Sequence, residues 1–499
     1  MPFRRFAINC LATILLAGGA TPATDLDKLV PIRWQGGPLE VARRSASKPL
    51  PIELAETLRA WYGTGSLDLL RDTPVNCLLV TWTGADPEAE REQHRVLKDY
   101  TAEAHRRGIS VMALIPSMGS VAQSAAAAVD AGLDGLVLDG EYKDAAQVGA
   151  ATRRLTANRG RELPVLMLPS GAAATAPGVR VFSEGGAVQA TPTSEPWIDS
   201  NFWLVRLIRA RGAETAWLGH TLEKPTSRDY VRAIADAAAA GGHWIVAPDD
   251  ALITGLAAHS FEAGKTWREI AAALRFFEDQ AAWRNFLPTG PLGIVQEETS
   301  TAAENLNLIA RRRIPYRILR REALSGDGLA DLRAVLVTGC NLSPAETGTL
   351  RKFAESGGLV IAGPGWGGVV PKTGDFDERP TGKGRVAVYR EEEPESEALS
   401  KDVLHLIGKD NLGIRLFHAI TVIPSVSTNR DGSQLLIAMV NYAGEPADAV
   451  MIRLTGNYRS ARLYTLDNAP TALELEKSPR GVEAKIPVIP VFAAVVLEK

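Results

Sequence analysis

The chain has 499 residues, 45% of them hydrophobic and 23% charged, an ordinary globular composition at a length that exceeds one hydrophobic core and points to two or three domains. Its formal net charge of −3, with no dense Lys/Arg block after the N-terminus, lacks the electrostatic footprint of a nucleic-acid binder, so nucleic acid is not an expected partner.

The N-terminal stretch MPFRRFAINCLATILLAGGATPATDL sets Arg4 and Arg5 before an apolar run from Phe6 to Leu16, then small residues with Ala-x-Ala-like sites near Ala20 and Ala23. That is the layout of a secretory signal peptide, too short to span a bilayer, so residues 1–23 are read as a signal and the mature chain as secreted or periplasmic. A lipoprotein would need a Cys directly after the small residues, whereas Cys10 lies inside the apolar run. No later segment reaches the roughly 18 unbroken apolar residues of a membrane span. Cys77 and Cys340 then remain, in segments assigned to different domains, so a disulfide framework is not expected. The seven histidines are scattered without an HExxH or a close pair, and neither a required metal nor a cofactor is expected.

Between Val75 and Asp250, apolar runs such as VNCLLVTW (75–82), ISVMALIP (109–116), LDGLVLDG (133–140), PVLMLPS (164–170), VRVFSEG (179–185), ETAWLGHT (214–221) and HWIVAPDD (243–250) alternate with helix-forming segments. Buried strands alternating with helices indicate a parallel α/β fold, and this many units predict a (β/α)8 TIM-type barrel over 24–287. Its fifth and sixth strands, around 179–200, are hard to place, which leaves room for a degenerate barrel.

LPTGP (287–291) reads as a turn-rich linker into a small flavodoxin-like α/β domain at 288–400. There Ser343 is a good N-cap, Pro344 takes the first helical position, Glu346 completes a capping box, and Gly357–Gly358 end the helix. GPGWGG (363–368) matches GxGxxG after a strand, but Pro and Gly follow where a helix should begin, so a turn-rich loop is the better reading. Residues 410–499 alternate as strands separated by turns and predict an antiparallel β-sandwich.

The stretch GCNLSPAETGTLRKFAESGGLVIAGPG resembles the amidotransferase-like middle domain of family 42 β-galactosidases, and the order of barrel, middle domain and sandwich resembles the plan of those enzymes. The resemblance implies a glycoside hydrolase with a structural middle domain. Members of that family are often oligomeric, so a homo-oligomer is an expectation carried by the resemblance alone. Amidotransferase chemistry needs a Cys on a strand-to-helix elbow with a partnered His, and Cys340 sits in a strand-to-loop GCN with no His near it in sequence.

Active residues of a barrel project from the C-terminal ends of its strands. LDGLVLDGEY (133–142) puts Asp139 and Glu141 at such an end, two apart, where an extended strand turns both side chains the same way. A glycosidase needs one carboxylic acid for the leaving oxygen and a second carboxylate, or the substrate itself, to stabilise the oxocarbenium-like transition state. The stretch also resembles the DGxDxDxEY strand of family 18 chitinases, through Asp134, Gly135, Asp139, Glu141 and Tyr142, with Val137 and Gly140 departing from it. That resemblance implies Glu141 as the acid and Asp139 as its partner. The bland alternative is that both carboxylates cap backbone amides in a loop.

For the second carboxylate, Glu184, Glu195, Asp199, Glu223 and Asp249–Asp250 all lie at or just past strand ends, and no strand ends in the Asn-Glu pair of the β-galactosidase clan. Glu195 and Asp199 flank Trp197, and sugar rings stack on aromatic faces, so Trp197 and Trp82 are candidate platforms, with Tyr142, Glu184 and Asp249 as further substrate contacts. For Trp82 a core position is an equal alternative. No GxSxG elbow and no GxxxxGK[ST] loop occurs. Two functions are therefore expected: an exported glycosidase acting on an oligosaccharide or polysaccharide, or an inactive carbohydrate-binding or scaffold protein on the same fold.

Overall fold

The computed structural model describes residues 26–84, 86–116, 121–140, 145–158, 163–168, 181–184, 187–190, 198, 200–212, 215–219, 222, 224–295, 300–324, 328–366 and 374–499. The segments expected to form the signal peptide and much of 169–199 lie outside them.

The first domain is built on parallel strands: β1 (Pro31–Arg33), β2 (Cys77–Thr81), β3 (Ser110–Pro116), β4 (Gly135–Asp139) and β5 (Val165–Met167), hydrogen-bonded in that order. Every residue of β2 is buried, as a strand covered on both faces must be. Further along come the hairpin of β6 (Val181–Glu184) with β7 (Ala187–Ala190), then β8 (Trp217–Leu218) and β9 (His243–Trp244), which pair in parallel. Just past β9, Val246 bridges Ile32 of β1 in parallel and accepts the Arg33 amide at 2.8 Å. The described strands thus run as one parallel arc in the order β8, β9, β1, β2, β3, β4, β5.

The helices on this arc follow local rules. Asp86 caps the helix Pro87–Arg106 by accepting from the Glu88 and Ala89 amides, Pro87 fills the first turn, and Gly108 turns the chain back with φ +72°. Thr226 and Asp229 form a capping box at the head of the helix Ser227–Ala238.

Two differences from expectation fall here. The first strand was not legible, because PIR is three residues long. The run at 179–185 does not join the parallel sheet: β6 pairs antiparallel with β7, and the Gly185–Gly186 between them is a hairpin signal in the sequence.

The chain then enters β10 (Leu287–Pro288), which is not a free linker but pairs antiparallel with a strand of the last domain. The middle domain comprises β11 (Leu292–Val295), β12 (Tyr316–Leu319), β13 (Ala334–Val337), β14 (Leu359–Ala362), β15 (Phe376–Thr381) and β16 (Gly384–Tyr389), in sheet order β12-β11-β13-β14-β16-β15. All pairs are parallel except β15 with β16, so this is a flavodoxin-type order with an antiparallel edge strand added. Ser343 and Glu346 form the capping box read from the sequence, and Arg321 forks onto Glu346. Beside Arg321 and the Ser343 amide, the Glu346 carboxyl is held down to about 2. After β14 the chain turns through Gly363–Trp366, with the Trp366 amide donating to the Gly363 carbonyl. The helix Ser396–Ile407 runs past the expected boundary at 400, tied back by Glu397 to Arg311 and Arg312.

The last domain packs two antiparallel sheets. The strands are β17 (Ile414–Phe417), β18 (Val422–Thr428), β19 (Gln434–Asn441), β20 (Ala447–Thr455), β21 (Ser460–Thr465), β22 (Asn468–Ala472), β23 (Glu476–Ser478), β24 (Gly481–Ile489) and β25 (Phe492–Glu498). The sheets run β10-β18-β19-β25-β21-β22 and β17-β20-β24-β23, and alternate residues such as Val450, Ile452 and Leu454 fill the layer between them.

The first domain and the sandwich meet through aromatic edges and one buried acid. Phe277 and Phe276 set their rings 4.9 and 5.7 Å from Phe492, and Trp283 lies 5.2 Å from Tyr464. Such pairs contribute about 0.5–1.5 kcal/mol each beyond their burial. Asp236, fully buried, accepts the Tyr442 hydroxyl and the Asn201 amide, and Arg232 beside it donates to the Tyr442 carbonyl at 3.0 Å. Burial pushes the Asp236 carboxyl up to about 6, against the lowering effect of Tyr442 and Asn201. Because the folded chain then binds this proton more tightly than the unfolded chain, stability falls as pH rises from about 4 through about 6. Urea unfolding of the wild type against Asp236→Asn is expected to show the wild type losing roughly 3 kcal/mol relative to the variant between about pH 4 and about pH 7. A flat difference would mean that this carboxyl does not titrate there.

Candidate active site

The parallel register gathers the strand ends on one face. β1 ends at Arg33, β2 at Thr81, β3 at Pro116 and β4 at Asp139, with Pro116 and Asp139 as register partners. Arg33 reaches from the first strand to the fourth, and its Nη1 lies 2.9 Å from Asp139 Oδ2. Three strand spacings in a flat sheet amount to about 14 Å, so this contact records how strongly the arc curls. The Arg33 side chain is 10% exposed and that of Asp139 30%, which places the pair at a rim still open to solvent.

Beside it, a second polar group closes the top of β1 and β2. Gly36 and Gly37 let the chain turn sharply after β1, and Gly37 has φ +81° with the Gln93 side chain where a Cβ would stand. The helix Gly37–Ser45 that follows points Glu40 inward, fully buried. Glu40 accepts from Arg43 at 2.6 and 3.2 Å, from Arg44 at 2.6 Å and from the Thr81 hydroxyl at 2.9 Å, while Arg44 also pairs with Asp250. Burial alone would raise the Glu40 carboxyl, but Arg43 and Arg44 outweigh it and hold it below its ordinary value. Gln93 bonds the Gly36 and Thr81 carbonyls, and the Tyr62 hydroxyl bridges Trp34 and Thr81. With no solvent-facing oxygen, Glu40 is a brace for the rim and not an acid for a substrate. Arg33 and Glu40 were not singled out in the sequence, where the one signal was WQGGP, a Gly-Gly-Pro helix start directly behind a short strand.

The expected site residues separate as follows. Asp139 stands at the strand end and is ion-paired with Arg33. Asp249 is the N-cap of the helix Asp250–Ala257, accepting the Leu252 amide at 3.1 Å and the Tyr230 hydroxyl at 3.2 Å. Trp82 is 1% exposed, stacked on His94 at 3.7 Å, with its indole N–H donating to the Ser124 carbonyl at 3.0 Å. It is a core residue, since both its face and its polar edge are taken up. Glu184 closes β6 in the hairpin. Glu141, Tyr142, Glu195, Trp197 and Asp199 lie outside the described residues. Of the chitinase-like stretch, Asp134 is at the opposite end of β4, holding the Val111 amide at 2.8 Å and the His105 Nε2 at 2.7 Å. Cys340 donates its thiol to the Val295 carbonyl at 3.3 Å. Among the described residues, no three His, Cys, Asp or Glu side chains group as a metal site would, and no helix is long and apolar enough to cross a membrane.

No family model matches the chain, and no curated protein matches it in sequence. Among solved structures, alpha-L-fucosidase isoenzyme 2 from Paenibacillus thiaminolyticus aligns with a TM-score of 0.56 at 12% identity, over 86% of this chain and 95% of that one. Exo-beta-1,4-mannosidase Op5Man5 from Opitutaceae bacterium strain TAV5 aligns at 0.47 and 13% identity, over 76% and 96%. The apo exo-carrageenase GH42 from Bacteroides ovatus aligns at 0.31 and 10% identity, over 81% and 55%. The likeness to the fucosidase is one of fold.

Replacing Trp82 by Phe removes the indole donor and leaves the Ser124 carbonyl buried without it. The expected cost is about 1–3 kcal/mol in urea unfolding. A variant as stable as the wild type would show that this hydrogen bond does not hold Trp82 in the core.

Proposed function

We propose that this chain is an exported glycoside hydrolase-like enzyme that cleaves glycosidic bonds of an oligosaccharide or polysaccharide by carboxylate acid/base catalysis at the barrel mouth. The observation that carries the reading is the Arg33–Asp139 pair at the C-terminal end of β4, two residues before Glu141. Glu141 is assigned as the general acid that protonates the leaving oxygen. Asp139, ion-paired with Arg33, is assigned as its carboxylate partner. The second carboxylate comes from Glu195 or Asp199, with Glu184 and Glu223 as further candidates, and Trp197 and Tyr142 supply stacking and hydroxyl contacts to the sugar. A separation of about 5–5.5 Å between the two carboxyl groups would give retention, and about 6.5–9.5 Å inversion. The shared fold supports this reading at the level of architecture alone, because barrels host many chemistries.

A second reading, a carbohydrate-binding or scaffold protein without catalysis, draws on a specific observation. Asp139, Asp249 and Trp82 each have a partner of their own: an arginine, a helix N-terminus and a histidine face. The two readings part in one experiment. The mature protein and a Glu141→Gln variant, matched by circular dichroism, are assayed on aryl glycosides and on plant and bacterial polysaccharides. The expected outcome is turnover by the wild type and a loss of about 10²–10⁴-fold in the variant. Absence of turnover on every substrate, with equal sugar binding by both proteins, would establish the second reading.

A further inference from the structure

At the other end of the barrel domain from the mouth lies a cleft of about 1150 Å³, bounded by all three domains. Its first-domain side includes residues that precede strands, Asp27 before β1, Thr215 before β8 and Ala240 before β9, beside Leu166 of β5 and the helix Phe202–Ala210. What distinguishes it is charge. Among the described residues four arginines line it, Arg206, Arg209, Arg317 and Arg430, against one acid, Asp27.

Arg206 and Arg209 stand three apart on the helix Phe202–Ala210, one turn of the same face. Arg206 is buried at 4% exposure, donates to the Tyr316 carbonyl at 3.2 Å and the Ser425 hydroxyl at 3.1 Å, and leaves its Nε without a partner. Arg209 donates to the Gly241 carbonyl and Arg317 to the Ala330 carbonyl, each at 2.8 Å, and the buried Nε of Arg317 is likewise unpartnered. Arg430 projects from the turn between β18 and β19 and is exposed. The three inner guanidiniums donate to carbonyls and a hydroxyl, while Asp27 lies near Arg209 and Asp331 near Arg317. Burial holds all three below their ordinary pKa, against the raising effect of Tyr316 on Arg206, Asp27 on Arg209 and Asp331 on Arg317.

Planar guanidinium forks are suited to oxyanions, which they bind through two parallel charge-assisted hydrogen bonds. A cleft lined by several guanidiniums and large enough for a sugar-sized molecule is suited to a ligand that brings negative charge. We infer that this cleft is a second ligand site, separate from the barrel mouth, that takes a small molecule bearing an oxyanion, such as a phosphate or sulfate ester or a carboxylated sugar. Because Arg209 belongs to the barrel domain, Arg317 to the middle domain and Arg430 to the sandwich, a bound oxyanion would tie the three together. The inference does not depend on the mouth being catalytic.

The test is isothermal titration calorimetry on the full-length protein with inorganic phosphate, sulfate and glucuronate as separate probes, beside Arg209→Gln, Arg430→Gln and an exposed control, Arg351→Gln, on the middle domain. Circular dichroism and thermal unfolding without ligand establish that each variant is folded. The expected result is saturable binding of at least one probe, weakened about tenfold or more in Arg209→Gln and Arg430→Gln and unchanged in Arg351→Gln. Binding of glucuronate alone would identify a carboxylated sugar as the ligand, and binding of phosphate or sulfate an ester of that acid. No saturable heat with any probe, or equal losses in all three variants, would overturn the site.

Discussion

A guanidinium buried without a carboxylate is the constraint on which the assembly of this chain depends. Arg206 rises from a barrel helix, takes its hydrogen bonds from the Tyr316 carbonyl of the middle domain and the Ser425 hydroxyl of the sandwich, and lies 4.8 Å from the Tyr316 ring centroid. Removing such a group from water costs several kcal/mol, and here the compensation is divided among domains. Pulling either neighbour away leaves the charge buried and only half satisfied. Asp236 repeats the logic on the next helix with the sign reversed, its carboxylate depending on the Tyr442 hydroxyl from the sandwich. The three domains therefore form one body through polar groups placed inside the joints, with the aromatic contacts around Phe492 supplying the apolar area beside them.

The same principle operates at the rim of the mouth. Glu40 satisfies two arginines and a threonine within the top of the sheet, and Arg33 reaches across the arc to Asp139. These residues fix where β1, β2 and β4 end relative to one another. Polar groups that hold the scaffold and polar groups that meet a substrate draw on the same residue types at the same strand ends.

That overlap explains which parts were legible in the sequence. Long buried runs such as CLLVT and LVIA, the Ser343–Glu346 capping box and the alternating strands of the sandwich obey local rules, and the structure shows strands and a cap there. The three-residue β1 carries too little periodicity to be seen, and the antiparallel β6–β7 pairing depends on a partner strand and not on composition. Within the site, Asp139 was found because a strand end is a local feature. Arg33 was missed because its partner lies 106 positions along the chain, and Trp82 read as a platform because stacking on His94 is invisible until the following helix is folded. An Asp at a strand end and an Asp at a helix start look alike in sequence, which is why Asp249 stood among the candidates.

The two margins of the middle sheet are treated in opposite ways. At one, β12 has its Tyr316 carbonyl occupied by Arg206 of the barrel helix. At the other, the final strand is FDERPT, with Asp377, Glu378 and Pro380 exposed and Asp377 paired to Arg379. A proline there offers no amide to an incoming chain, and a run of charges resists being covered. Parallel sheets with bare margins invite growth from one molecule into the next. At the β15 margin of this sheet, growth by shared strands is therefore opposed by the strand's own residues.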